Sequence, residues 1–535
     1  DPAQASFSAN PNGADLKKTI THGTVDNPDG IANKTTREVT VTTASGEKPL
    51  QETYVYTGSG YERIDWTVKE YDEQGRVTAT HYADGTSHQV TWGCCGKEYE
   101  KKRNGTEYYY TYDELDRVAS KTKVVGDDAV PDITTSFSYD AEGNVIGKTR
   151  SAGTRNLTTS KEYDLAGRLT SSTNEAGLTT TREYSDGGST VKVTQPGGGT
   201  RVTKRYNDGR IKSVTGSAVT NRYYEYGVST DSSGRLQGRW TKVYKGEMPD
   251  SGDFTDIPNW TKTTKDALGR VVKTEKPAFD GGTAVTTRVY NDRGQLVKST
   301  QPGKADRLYV YNAVGERVRS GLDVDGDGTL DPAETDRIND SATAYEKDSD
   351  GDWWRKSVSK TYPTDNDSTA LTTSVRKQRL TGFGEAIPQS VVDRISANSP
   401  ESFNVADAVL TAQSISEDRF GNETVSYTYT DPDSRTQCRV TDTPDSDENA
   451  VTVTVNGHTE LRISDKGHAT HYDYDALGRR IDGNLAEMGG QFVPVELGEI
   501  DTPFRFVLQI REKPFEDVVN VRPGFEGRGD DLDVV

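Results

Sequence analysis

Tyr163-Asp164-Leu165-Ala166-Gly167-Arg168-Leu169 decides how this chain is read, because the same seven positions return along most of it. They recur as Tyr71-Asp72-Glu73-Gln74-Gly75-Arg76-Val77, as Tyr112-Asp113-Glu114-Leu115-Asp116-Arg117-Val118 and as Tyr139-Asp140-Ala141-Glu142-Gly143-Asn144-Val145. Degenerate copies stand at Tyr184-Ser185-Asp186-Gly187 and Tyr206-Asn207-Asp208-Gly209-Arg210-Ile211, and later copies at Lys265-Asp266-Ala267-Leu268-Gly269-Arg270-Val271, Tyr290-Asn291-Asp292-Arg293-Gly294-Gln295-Leu296 and Tyr311-Asn312-Ala313-Val314-Gly315-Glu316-Arg317-Val318. The last strong copy is Tyr474-Asp475-Ala476-Leu477-Gly478-Arg479-Arg480-Ile481. From Tyr112 to Tyr206 the steps are 27, 24, 21 and 22 residues, a short and genuine period.

Each position has a physical task. The aspartate accepts hydrogen bonds from amides two residues on, and the glycine three residues later tolerates the positive φ that ends a bulged turn. Flanking segments such as Thr134-Thr135-Ser136-Phe137-Ser138-Tyr139 alternate with the period of a strand. The unit therefore reads strand, Asp-x-x-Gly turn, strand, second turn. Second turns include Ser151-Ala152-Gly153 and Asn174-Glu175-Ala176-Gly177. The tyrosine is expected to point inward with its hydroxyl on the turn backbone, and the apolar residue after the arginine to share its face.

Composition agrees. Of 535 residues only 31% are hydrophobic, while Gly numbers 52 and Tyr 27, which favours strands punctuated by turns over helices. Mean hydropathy is −0.81. The net charge of −19 disfavours nucleic acid and anionic membranes and suits divalent cations. No stretch is long and apolar enough to span a membrane, and no leader peptide is visible at Asp1-Pro2-Ala3-Gln4. Three cysteines make no disulfide framework. Cys94-Cys95, in Trp92-Gly93-Cys94-Cys95-Gly96, leave a vicinal disulfide, a pairing with Cys438 or free thiols all open.

These copies resemble the YD repeats of the RHS and teneurin families, from about Tyr71 to Ile481 with a gap near 321–415. The resemblance implies an all-β array of hairpins spiralling into a β-sheet shell around a hollow interior, in some members enclosing a toxin domain. A β-propeller is the rival, since two units span 41 to 43 residues, close to one four-stranded blade. Uneven single steps favour the spiral.

The sharpest local motif is Asp323-Val324-Asp325-Gly326-Asp327-Gly328-Thr329-Leu330-Asp331-Pro332-Ala333-Glu334, which fits the EF-hand calcium loop at every position. Asp323, Asp325, Asp327 and Glu334 would supply carboxylates, Thr329 its carbonyl, and Asp331 a ligand through water. Such carboxylates repel one another without a cation, so Ca²⁺ is expected in a structural role; the bland reading is a solvated acidic turn. No helix leads into the loop. Asp348-Ser349-Asp350-Gly351-Asp352 lacks the glycine at position six and reads as a turn.

Catalytic signals are weak. His22, His81, His88, His458, His468 and His471 form no helical pair, and no Gly-x-Ser-x-Gly elbow exists. His468 and His471 should point to opposite faces, while His81 and His88 could meet across the turn at Tyr82-Ala83-Asp84-Gly85. Were the chain an enzyme, a polysaccharide lyase would be the class, using Tyr or His for proton transfer and Arg or Asn against a uronate. Trp353-Trp354, Trp240 and Trp260 read either as a sugar platform or as core. Arg528-Gly529-Asp530 reads as a chance match to the integrin tripeptide, and Gln195-Pro196-Gly197-Gly198-Gly199 lacks the helix of a phosphate loop.

The organisation expected is a lead-in over 1–50, a YD array over 51–320, an insertion over 321–415 opening on the calcium loop, degenerate repeats over 416–485 and a tail over 486–535. A helix is expected after Ser399 and Pro400, running to about Thr411, and a strand at 504–510. The leading functional reading is a secreted or cell-surface YD-repeat scaffold or shell fragment, calcium-stabilised. Its partners would be a glycan, a cell-surface molecule or its own kind. The lyase and the shell of a toxin-delivery protein are its competitors.

Overall fold

Asp72 shows why the turn forms. Its Oδ1 accepts the amides of Gln74 (3.0 Å) and Arg76 (2.9 Å), its Oδ2 receives Arg76 Nε at 2.7 Å, and its own amide donates to the Arg76 carbonyl at 3.0 Å. Gly75 closes the loop at φ +75°. The same pattern is built by Asp113, Asp140, Asp164, Asp266 and Asp475. At Asp116 an aspartate takes the glycine's place with φ +59°, a conformation aspartate tolerates better than most residues. Just before each turn the register slips by one residue at the tyrosine, so Tyr71 pairs with Val77 and Tyr139 with Val145. This bulge fits an odd-length loop to the ladder.

In this computed structural model the described residues are 16–22, 36–126, 130–230, 232–279, 281–312, 314–399, 403–444, 446 and 448–486. The expected strand at 504–510 and the Arg528-Gly529-Asp530 tripeptide lie outside them. Among the described residues thirty-five strands, β1 (Leu16–His22) to β35 (Arg480–Ala486), form one antiparallel meander in which each strand pairs with the next. The fold is all-β and the sheet does not close. A propeller would interrupt the ladder after every fourth strand, and no interruption occurs among the described residues. The meander starts before residue 51, with β2 (Thr36–Thr42) paired to β3 (Leu50–Tyr56). It also runs straight through 321–415, so that segment extends the sheet with altered turns.

Among the described residues one α-helix, α1 (Gln389–Ala397), covers the sheet. It opens after Pro388 and ends at Asn398, immediately before the start expected from Ser399-Pro400; Thr411 lies instead in β29 (Val409–Asp418). The reason is local. Val391 and Ile395, four residues apart, bury one helix face, whereas the Val409–Asp418 stretch alternates buried and exposed as a strand. Under α1 lies the largest core, built from Leu410, Tyr429, Cys438, Val440, Val451, Val453, Leu461 and Ile463. Arg394 ties the helix down through the Ser464 carbonyl and Glu448, both at 2.8 Å.

Far-apart turns also meet. Lys347 pairs with Glu62 (2.6 Å), Lys101 with Asp433 (3.2 Å), Arg435 with Glu107 (3.4 Å) and Arg155 with Asp475 (3.7 Å). Lys123 Nζ donates to the Asn456 carbonyl at 2.6 Å, and Asn456 Nδ2 to that of Val124 at 2.8 Å. As the first member advances from 62 to 155, its partner advances from 347 to 475. The second-turn edge of the early strands thus meets the YD-turn edge of the late ones, hairpin tip against hairpin tip.

Candidate functional site

The acidic loop joins β25 (Arg317–Asp323) directly to β26 (Arg337–Lys347), with no entering helix, as its flanks predict. Asp323 is buried and accepts the amides of Gly326 (2.8 Å) and Gly328 (3.1 Å). Asp325 takes the amide of Asp327, and Asp327 takes both the amide and the hydroxyl of Thr329. These turns bring one oxygen each of Asp323, Asp325 and Asp327 within 4.8 Å of one another. Glu334 is not one of this trio but hydrogen-bonds Asp325, and that bond and the charge of Asp325 push its carboxyl up to about 7. Crowding of this kind is what a divalent cation relieves. Asp331 Oδ1 accepts the Ala333 amide at 2.8 Å, and its charge also acts on Glu334.

Two residues of the loop's frame escaped the sequence reading. Buried Asp336 clamps both ends of the loop, accepting Val324 N at 2.8 Å and Asp331 N at 3.1 Å. Its signal was an acid two places beyond Glu334. Arg319 holds Asp340 at 2.7 and 2.9 Å and donates to the Leu330 carbonyl, while the Leu330 side chain packs with Leu308 and Ile338. The loop is therefore anchored at position eight, where the motif wants an aliphatic residue.

A second polar site lies where the far-apart turns meet. A cleft of about 390 Å³ is lined by Lys123, Asn456, His458, Tyr474 and Asp475 among others. Lys123 Nζ is 3.1 Å from His458 Nε2, and the imidazole stands edge-on to Tyr474 with centroids 4.8 Å apart. Burial, helped by the Lys123 charge, holds His458 below the ordinary histidine value; burial, helped by Arg435 and Lys102, also lowers Lys123.

The other candidates scatter. His81 and His88 do not face each other, because the register pairs His81 with Ser87 and Thr80 with His88. His81 reaches Glu70, while His88 reaches Glu100, which also receives Lys97 (3.1 Å) and Tyr110 (2.9 Å). His471 lies in β34 (Ala469–Tyr474), with Nε2 buried and without a hydrogen bond, and His468 lies in the turn before it. The side chain of His22 is outside the description. Trp353 and Trp354 are core residues. The Asp348 cluster is a hairpin turn. No disulfide joins the cysteines.

The family model described as RHS Repeat matches residues 163–200. No curated protein matches the chain. Among solved structures, TcdB2-TccC3 without its hypervariable C-terminal region is similar at 10% identity over 88% of this chain and 35% of that one, with a TM-score of 0.25. The complex TcdB2-TccC3-Cdc42 matches at 13% identity over 84% and 28%, with a TM-score of 0.23. A porin-like protein from Bacteroides uniformis matches at 12% identity over 49% and 95%, with a TM-score of 0.13. The chain spans about a third or less of the length of the first two.

Proposed function

This chain is a YD-repeat protein of the RHS type, and from that premise we propose that it is a wall segment of an extracellular shell that encloses a polypeptide cargo, such as a toxin domain. The observation that carries this reading is the ordered meeting of turns 285 to 333 residues apart, from Lys347 with Glu62 to Lys123 with Asn456. A sheet one layer thick that returns along its own edge makes a wall. Low hydrophobic content suits such a wall, because each strand needs only intermittent apolar contacts. Cryo-electron microscopy of the protein tests it. Curved single-sheet density around a hollow is expected, and a solid two-sheet sandwich would overturn the reading.

The Asp323–Glu334 loop is read as a calcium staple in that wall, with Asp323, Asp325, Asp327 and Glu334 as the carboxylates. The cation would neutralise their mutual repulsion and fix the β25–β26 connection, leaving chemistry aside. Calorimetry is expected to detect calcium binding, lost in Asp325→Asn, and chelation to lower the melting temperature. An unchanged melting temperature together with no binding heat would reduce the loop to an acidic turn.

A further inference from the structure

One turn on the YD edge differs from the aspartate-clamped ones. Between β6 (Ser87–Trp92) and β7 (Lys97–Lys101) stands Gly93-Cys94-Cys95-Gly96. The loop is closed by Gly93 N donating to the Gly96 carbonyl at 2.8 Å, one residue tighter than the Asp72–Arg76 loop. No aspartate gathers its amides. Two thiols lie in contact instead, with Cys94 Sγ 2.6 Å from Cys95 Sγ, the first exposed and the second half-buried. Neighbouring repeats hold the loop from both sides. Arg76 Nη1 donates to the Gly93 carbonyl at 3.0 Å, and the Tyr112 hydroxyl to that of Lys97 at 2.9 Å. A Cβ at Gly96 would overlap the Tyr112 hydroxyl, so only glycine fits. Cys438 is fully buried in the core beneath α1, which removes it as a partner in the folded protein.

We propose that Cys94 and Cys95 form a redox-labile vicinal disulfide that does here what the aspartate does in the aspartate-clamped YD turns. The oxidant is a small-molecule disulfide. One cysteine, as thiolate, attacks a sulfur of the oxidant and expels a small thiolate. The neighbouring thiol then loses its proton and displaces the second, closing the ring. The protein pair gives up two electrons and two protons, and the oxidant leaves as two thiols. Asp116, beside Cys95, pushes that thiol up to about 12 together with Cys94, so the turn does not stabilise the thiolate, the state that would favour the reduced pair. Exposure and the strain of so small a ring make the bond easy to reduce.

The test uses the full chain incubated with oxidised glutathione, alkylated without reductant and digested with trypsin. The peptide from Val77 to Lys97 carries both cysteines. It is expected to be lighter by two hydrogens and unalkylated, and to take two alkyl groups after mild reduction. Two alkylated cysteines before reduction, a stable glutathione adduct, or a link to Cys438 or to a second chain would each overturn the proposal. The clamp role has its own readout: oxidation should slow protease cleavage at this turn in the wild type and not in the Cys94→Ser, Cys95→Ser double variant. Equal rates in both would refute it.

Discussion

Four YD arginines, Arg117, Arg168, Arg210 and Arg270, each serve two repeats at once. The Nε of each holds the aspartate of its own turn, and the guanidinium plane lies over the tyrosine of a later one. The distance is 4.5 Å for Arg117 on Tyr139, 4.4 Å for Arg168 on Tyr184, 4.5 Å for Arg210 on Tyr226 and 4.8 Å for Arg270 on Tyr290. The covered tyrosine then donates its hydroxyl to the carbonyl that follows the arginine: Tyr139 to Val118, Tyr184 to Leu169, Tyr226 to Ile211 and Tyr290 to Val271. The repeat alone places this hydroxyl on its own turn; in the fold it spans the gap to the preceding unit instead. Spacing within one repeat could not reveal a bond between two. Replacing Tyr139 by Phe should cost about 1 kcal/mol, the worth of one partly buried hydrogen bond, read as a lowered denaturant midpoint; an unchanged midpoint would mean the link is idle. Glu100 makes a separate prediction. Burial would raise its carboxyl, but hydrogen bonds from Tyr110, His88 and Lys97 outweigh it and hold the group at about 2. A folded value below the unfolded one means stability present above about pH 4.5 and lost as pH falls toward 2. Glu100→Gln should flatten that stretch of the stability–pH curve, and a curve of unchanged slope would show that the network is not its source.

At the scale of the hairpin, identical sequences meet different fates. Asp266-Ala267-Leu268-Gly269-Arg270 and Asp475-Ala476-Leu477-Gly478-Arg479 differ in no residue, yet Leu268 is 78% exposed and Leu477 only 2%. Only the second turn lies where far-apart tips meet, with Arg155 on Asp475 and Ile133 against Gly478. Leu477→Ala should therefore cost about 2 to 5 kcal/mol, and Leu268→Ala less than about 0.5, measured by thermal denaturation. Equal costs would contradict the seam. A glycine pair isolates the same contact. Gly85 and Gly105 close similar tips at φ +81° and +80°, so alanine meets equal backbone strain at both. At Gly105 the new Cβ would also overlap the Pro432 carbonyl, while at Gly85 nothing lies within 4 Å. Gly105→Ala should thus destabilise more than Gly85→Ala; matching losses would place Pro432 elsewhere. The seam should also loosen in acid, because His458 titrates below its ordinary value and its proton would sit beside Lys123. Stability from this group is present above about pH 6.5 and lost below it. The strands and YD turns were legible in the sequence because Asp, Gly and alternation encode them locally. Helix α1 was misplaced because Val391 and Ile395 signal through a core that only tertiary packing assembles.

At the scale of the molecule, the meander was readable and the seam was not. Repetition implies that each hairpin pairs with the next, but nothing at Lys101 or Asp433 announces that they face each other across 332 residues. The acidic loop was legible because its ligands are packed into twelve residues, whereas its clamp, Asp336, belongs to no motif. Central to all of this is the order of the long-range meetings, which makes a winding sheet of what could be a flat ribbon. Carbodiimide cross-linking followed by mass spectrometry reads that order directly, since it joins an amine to a carboxylate already in contact. The expected links are Lys347 to Glu62 and Lys101 to Asp433, with N–O distances of 2.6 and 3.2 Å, and their yield should fall in Leu477→Ala. Links confined to neighbouring hairpins, or far-apart links in the reverse order, would contradict the winding.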